Sequence, residues 1–525
     1  MKQEKKNPIA EAAAYARLQL YLKRLQFGKR RYPVSFDRKD LDEVKRLVEH
    51  NKEFLVYLSR SPFRKRKQEK KNKKICFVLV PYEYGDWHQF TLNQALLLYV
   101  KGYDIEFLID DISGMEEEYL FRGITGIALT LMLPILDAIS GIAPVRYLSD
   151  CRRIRLTGKD KEEAVNLYKA TETWLVGVSK TLSPRQYKRF LYTATFIKGA
   201  MADCDADVIQ IYTGSHTKKG FYTLFAQQNG KRVATFDSQG KVGRTISYSS
   251  QGEQCHCPDI PYTILHDLLP EEVKEQIYEE VTQKYKDIAP GKFNDKYDIF
   301  VPLNIDWDAA ALNVPGLFAS TDEWIREVVE YVMQNTNATM ILREHPARKY
   351  DPEFNYGNLK EQLRSFRGYD ESRILFIDFD NPISTYDCLK HCSVVLPYSS
   401  TVGMEAIVMG KKTLNCMEVY FAKAGIGELP ETKEALFERI RQCVERPERV
   451  SEEEKKLAAL GIALHANITV KKTKFSELYT RWGTASFMRM YLDRDINKML
   501  DSIAVGTPFC VLNIEDKVGN GRRIL

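Results

Sequence analysis

Two series of short apolar runs, each closed by a polar turn and followed by a helix-like stretch, restrict this chain to an α/β fold built on parallel sheets. The first series opens with ICFVLVPYE at Ile75, passes through FTLNQALLLYVKGY to DIEFLIDD, and resumes at DVIQIYTG, GFYTLFAQQNG and RVATFDS. Runs that are apolar at nearly every position suit strands covered on both faces, and β-α-β units of this kind cross over with a right hand. The second series begins near Asp298 with YDIFVPL and continues through ATMILREHP, RILFIDF, the short helix STYDCLKHC and SVVLPYSS. One of its helices carries its own start signal. Ser320 to Glu323 has capping-box spacing, and Trp324, Val328, Val329 and Val332 fall on one stripe behind it. TKEALFERIRQCVE reads as a peripheral amphipathic helix with Leu436, Ile440 and Val444 on one face.

A chain of 525 residues exceeds what one hydrophobic core supports. Two Rossmann-like lobes facing a cleft, joined by a linker near residues 287–296, account for the length. The expected boundaries are a basic helical N-terminal extension at 1–74, a first lobe at 75–290, a second lobe at 291–470, and a tail at 471–525 that packs back on the first lobe. Residues 112–202 read mainly as helix.

The net charge is +6, but residues 1–74 hold 23 basic against 9 acidic side chains, so this segment carries +14 and leaves −8 for the rest. Its helix-like pieces, 9–25 and 40–58, precede the run RKRKQEKKNKK. Such an arm would lie on anionic lipid head groups or remain a solvated extension; with no nucleic-acid module behind it, no nucleic-acid partner is expected. No run approaches the roughly 20 apolar residues needed to span a bilayer, and the N-terminus lacks the apolar core of a secretory signal. Ten cysteines without a framework of spacings suit a reducing compartment, so a cytoplasmic location is expected. Cys255, His256 and Cys257 form a compact trio, but a tetrahedral zinc site wants a second ligand pair.

The chemistry concentrates at strand ends. In Leu396-Pro397-Tyr398-Ser399-Ser400-Thr401-Val402-Gly403-Met404-Glu405, an apolar strand delivers three hydroxyl residues to the start of a helix, a combination suited to a nucleotide phosphate or to plain helix capping. Glu405, one turn in, would reach a ribose hydroxyl. Arg343-Glu344-His345-Pro346 closes the strand ATMIL, where the proline holds His345 extended and an imidazole would donate to a departing oxyanion. Both elements belong at carboxyl ends of strands in one sheet, where open α/β sheets bind ligands. Asp306-x-Asp308 and Asp378-x-Asp380 have the form of metal-binding carboxylate pairs, but in a double Rossmann architecture they read as loop and strand-end residues, and no metal is expected. A base for an incoming hydroxyl would come from the first lobe: Asp86 or His88 in the loop after the first strand, with Asp237 and Glu253 as other candidates. Gly214, Ser215 and His216 close the strand VIQIYTG, and Asn304 and Asp306 follow the strand YDIFVPL; all are candidate donor or acceptor contacts.

The order D-W-D, F-x-S-x-x-E-W, R-x-H-P and S-S-T-V-G-M-E-A-x-x-x-G-K resembles the bacterial capsule-polysaccharide biosynthesis family, over roughly residues 300–424. That family includes Kdo transferases that use CMP-Kdo, and the HP and SS/T pair is similar to that of bacterial sialyltransferases of the GT-B fold. The resemblance implies a metal-independent GT-B glycosyltransferase needing no cofactor beyond its nucleotide-sugar co-substrate. It places the CMP moiety on His345, Ser399, Ser400 and Thr401; with Arg343, Pro346, Gly403 and Glu405 from the strand-end reading, these form the expected donor-nucleotide set. It implies an acceptor lobe at 75–290, a donor lobe at 291–470, and a glycan or glycolipid acceptor at the inner face of the membrane. A polyol-phosphate transferase of the CDP-glycerol type, a sugar-nucleotide epimerase and a non-catalytic scaffold share the two-lobed pattern and remain alternatives.

Overall fold

Ile75 to Leu79 are buried almost completely, as a strand covered on both faces must be. The computed structural model describes residues 8–26, 30–65, 68–81, 87–113, 124–176, 183–214, 217–239, 245–250, 262–289, 291, 293–305, 316–346, 348, 359–466, 470–472 and 482–519. Two units make up the chain. The first comprises Met1–Leu167, Pro184–Cys255 and Lys471–Phe509; the second comprises Tyr168–Ser183, His256–Val470 and Cys510–Leu525.

The first unit holds a seven-stranded sheet formed by β1 (Lys74–Leu79), β2 (Asp104–Ile109), β3 (Val145–Tyr147), β4 (Val208–Tyr212), β5 (Arg232–Gln239), β6 (Thr245–Ser249) and β12 (Val470–Lys472), in the order β12-β6-β5-β4-β1-β2-β3. The pairs β3-β2, β2-β1, β1-β4 and β4-β5 are parallel, and β6 runs antiparallel to β5. The order reverses between β1 and β4, which makes that junction the switch point of a Rossmann-like sheet.

The basic N-terminal segment is not a free arm. Its helix Leu41–Arg60 buries Leu47, Phe54 and Tyr57, and Leu22, Val34, Phe36 and Val44 pack with Ile127 and Leu131. Arg64, Lys65, Lys70 and Lys71 beyond it are exposed. Trp482, fully buried, brings residues of the tail against the same helix, with ring centroids 4.8 Å from Phe54 and 5.1 Å from Tyr57.

The second unit holds a five-stranded sheet, all parallel, of β7 (Ile299–Pro302), β8 (Met340–Arg343), β9 (Ile374–Ile377), β10 (Val394–Val395) and β11 (Lys412–Thr413). Its order, β11-β10-β7-β8-β9, reverses between β7 and β10. Residues 262–286, placed before the linker by the sequence pattern, belong to this unit: Tyr262, Leu265, Leu269, Ile277, Val281 and Tyr285 enter its core. The helix Thr321–Asn335 starts where its capping signal puts it, with the Ser320 hydroxyl accepting from Glu323 N at 3.1 Å. It buries Trp324, Val328, Val329 and Val332, and Trp324 Nε1 donates to Cys416 Sγ at 3.2 Å. The helix Lys433–Glu445 buries Leu436 and Ile440, with Val444 half-buried against the same core.

Candidate functional site

Three adjacent strands of the second unit, β10, β7 and β8, end at one sheet edge, and each delivers a polar side chain there. Register fixes the level: Val395 pairs with Phe300, and Pro302 with Arg343, so Asn304 and Ser399 each lie four residues past a paired position. Asn304 Nδ2 donates to Ser399 Oγ, and Ser399 N donates to Asn304 Oδ1 at 3.4 Å, bridging the switch point. Both residues are buried.

Arg343, the last residue of β8, is 6% exposed. Its Nε donates to Thr385 Oγ1 at 3.3 Å, whereas Nη1 is buried and has no hydrogen-bond partner among the described residues. Burial draws the guanidinium's pKa below its ordinary value, against the opposing pull of Cys388 and Asp387. A buried cation with an unmet donor has a standing demand for an anionic oxygen, because that donor has given up water and gained nothing.

The next residues are held by a second pair. Glu344 forms a buried ion pair with Arg348, and its other oxygen accepts from Phe379 N at 3.2 Å. Burial pushes the Glu344 carboxyl up, with Arg348 opposing. Arg348 N donates to His345 O at 3.0 Å, so the ion pair closes the turn that carries half-buried His345; Pro346 is exposed.

The hydroxyl run divides its work. Ser400 Oγ accepts from Val402 N at 3.3 Å and so caps the helix Val402–Val408, while Thr401 makes no side-chain cap. That helix has seven residues, too short for the dipole expected from the sequence to weigh heavily. Gly403 is a packing position: a Cβ there would meet Pro397 Cγ at 3.0 Å and Phe421 Cε2 at 3.4 Å. Tyr398 lies against Trp324 with centroids 5.0 Å apart. Glu405 Oε1 accepts from Tyr285 OH at 2.9 Å and Tyr386 OH at 3.3 Å, and burial pushes its carboxyl up. Burial, with the Glu405 carboxylate beside it, pushes the Tyr386 hydroxyl up to about 12.

In the first unit, His88 is buried in the first turn of the helix Trp87–Val100. Gly214 follows β4 at φ 73°, where a Cβ would meet Thr223 Oγ1 at 2.8 Å, and Thr213 and Thr217 around it have φ of 59° and 56°. Asp237 is a β5 residue paired with Ser247. Asp86, Ser215, His216, Glu253 and Asp306 lie outside the described residues, as do Cys255, His256, Cys257 and Asp308. Among the described residues, Cys76, Glu106 and Cys204 have the spacing of a metal site, but Lys74 Nζ at 2.6 Å and Arg146 Nη2 at 3.0 Å already hold the Glu106 carboxylate. The donor set therefore fits a buried ion-pair cluster better than a cation site.

Sequence reasoning named Asn304 only as a candidate contact and missed Thr385, Arg348, Tyr285 and Tyr386. The signal for Asn304 was its place: the loops after the first and fourth strands of such a sheet meet at the switch point.

Fold and site together define a protein of two Rossmann-like α/β units, the second with Asn304, Arg343 and Ser399 gathered at the carboxyl ends of three adjacent strands. No known family matches the chain, and no curated protein matches it. Among solved structures it is similar to KpsC, a beta Kdo 2,7 transferase of Thermosulfurimonas dismutans, at 14% identity over 60% of this chain and 94% of that one, with a TM-score of 0.33. It is also similar to MurG of Acinetobacter baumannii (9% identity, 74% and 94% covered, TM-score 0.28) and to a UDP-GlcNAc 2-epimerase of Neisseria meningitidis bound to UDP-GlcNAc (12%, 73% and 94%, 0.23). Likeness this distant does not assign an activity.

Proposed function

We propose that this protein is a GT-B-type glycosyltransferase that binds a nucleotide sugar at the edge of its second sheet and transfers the sugar to a surface-polysaccharide acceptor. The observation that carries the reading is the buried Arg343 Nη1, without a partner among the described residues, on the strand next to the Asn304–Ser399 bridge. A phosphate oxygen is the acceptor that this donor lacks. His345, on the turn pinned by Glu344 and Arg348, stands two residues on to steady the leaving phosphate. Glu405, held by Tyr285 and Tyr386, would take a ribose hydroxyl.

The R-x-H-P and S-S-T patterns favour a CMP-linked donor and a sugar of the Kdo type. The first unit would supply the base for the acceptor hydroxyl, with Asp86 and His88 as candidates, and exposed Arg64, Lys65, Lys70 and Lys71 would hold the enzyme near lipid-linked acceptors. Among the described residues no helix is long and apolar enough to cross a membrane.

A thermal-shift panel of CMP, CDP, UDP and GDP tests the donor site. A ligand at about 100 times its dissociation constant stabilises by about 2.7 kcal/mol. Selective stabilisation by CMP is expected; a response to UDP alone overturns the donor, and no response to any nucleotide overturns the site. With the matching nucleotide sugar, product analysis then separates sugar transfer from phosphate transfer and from epimerisation without acceptor.

A further inference from the structure

Near the amino ends of β1, β2 and β4, the first unit buries two thiols for which the proposed transfer has no use. Cys76 on β1 pairs in register with Glu106 on β2, and Cys204 precedes Val208, the first residue of β4, by four positions. The two sulfurs and a Glu106 carboxylate oxygen all lie within 4.8 Å of one another. The turn that carries Cys204 is tied to β1 through the backbone: Lys74 N donates to Asp207 Oδ2 at 2.8 Å, and Asp207 N donates to Lys74 O at 2.9 Å. The fold itself therefore brings the sulfurs together.

Burial raises the Glu106 carboxyl, but Lys74 and Arg146 outweigh it and hold the group below its ordinary value. A carboxylate only accepts, so the Cys204 thiol donates to Glu106 at 3.2 Å, and its proton has a receiver in place when the sulfur reacts. The neighbouring Cys76 thiol draws the Cys204 thiol below its ordinary value, against burial, which favours the reactive thiolate. Cys204 is 5% exposed and Cys76 0%, so a small oxidant reaches the first before the second.

We propose that Cys76 and Cys204 are a peroxide-sensitive pair that closes to a reversible disulfide. The Cys204 sulfur attacks one oxygen of hydrogen peroxide as the O–O bond breaks, and the thiol proton leaves with the expelled hydroxide as water. The Cys76 sulfur then attacks the sulfenic sulfur so formed, the S–O bond breaks, and a second water carries off the Cys76 proton. Two thiols are oxidised to one disulfide and one peroxide is reduced to two waters. The cross-link joins β1 to the entry of β4, the two strands that meet at the switch point of this sheet, and an added thiol reopens it by exchange.

The test exposes the reduced full chain to hydrogen peroxide, alkylates the remaining thiols with N-ethylmaleimide in denaturant, and maps unreduced peptides by mass spectrometry. Peptides joined through Cys76 and Cys204, two hydrogens lighter than their sum, are expected at a level roughly tenfold above any other cysteine pair. Dithiothreitol should restore alkylation of both. Cys76→Ser should leave Cys204 as a sulfenic acid that dimedone traps, and Cys204→Ser should leave Cys76 unoxidised. Should either variant fail to fold, the wild-type map alone decides. Cys204 that stays alkylatable after half-buried Cys151 has been oxidised, or that pairs with Cys151 instead, overturns the inference, as does Cys76 oxidised equally well without Cys204.

Discussion

Replacing Arg343 by methionine separates binding from stability, because the two are expected to move in opposite directions. The guanidinium is 6% exposed and, among the described residues, makes one side-chain hydrogen bond, to Thr385 at 3.3 Å, and leaves Nη1 buried and unmet. An unsatisfied buried donor costs about 1–3 kcal/mol, more when charged, whereas the lost bond to Thr385, long at 3.3 Å, contributes about 1.5 kcal/mol, the low end for a charged donor. Methionine keeps most of the apolar stem and fills an irregular gap easily. The unliganded variant should thus be as stable as wild type or more stable, by up to about 2 kcal/mol, in urea denaturation followed by a probe of the second unit. The same change removes a charge-assisted contact to phosphate and should weaken CMP by about 1.5–3 kcal/mol, roughly ten- to 150-fold, in calorimetric titration. A variant that loses several kcal/mol of stability yet binds CMP as tightly as wild type would refute the reasoning, since Arg343 would then be a structural cation.

Further outcomes follow from individual contacts. Trp482→Ala should cost about 3–5 kcal/mol in the first unit, because it empties the pocket formed with Phe54 and Tyr57; an effect below 1 kcal/mol in chemical denaturation contradicts that packing. Ser320→Ala should cost about 1 kcal/mol through loss of the cap on Glu323 N, and Ser320→Asp should restore it. Burial raises the Asp160 carboxyl, but Lys198, Thr157 and Gln228 outweigh it and hold the group at about 2. Because that lies below the unfolded value of about 3.9, the contribution is present above pH 4 and is lost as pH falls toward 2. Asp160→Asn should therefore lose stability at neutral pH and show less acid dependence in that window, measured by denaturation at a series of pH values.

The alternation of strands and helices was legible because parallel strands buried on both faces must be near-continuous apolar runs, as ICFVL, DIEFLI and YDIFVP are. The short strand Val145–Tyr147 was not, since three half-buried residues carry no pattern, and the antiparallel β6, sequence TISYS, is too polar to stand out from a loop. The basic N-terminal segment misled because its charge overshadowed the apolar stripe of Leu41–Arg60, which the core of the first unit claims. At the candidate site, the placement of Arg343 and Ser399 at or just beyond strand ends, and of Glu405 in the helix that follows, was legible. Their pairings were not: Thr385, Tyr285 and Asn304 are brought in by topology from 42, 120 and 95 positions away, and of the three only Asn304 was marked in advance, by its loop at the switch point.

Amide hydrogen exchange of the full chain with and without saturating CMP tests the central claim most directly, because it reports on every strand end at once. Added protection is expected at residues 303–305, 343–346 and 396–405, the ends of β7, β8 and β10, with the opposite ends of the same strands unchanged. Protection confined to other segments, or none despite binding, would place the nucleotide elsewhere and contradict the account.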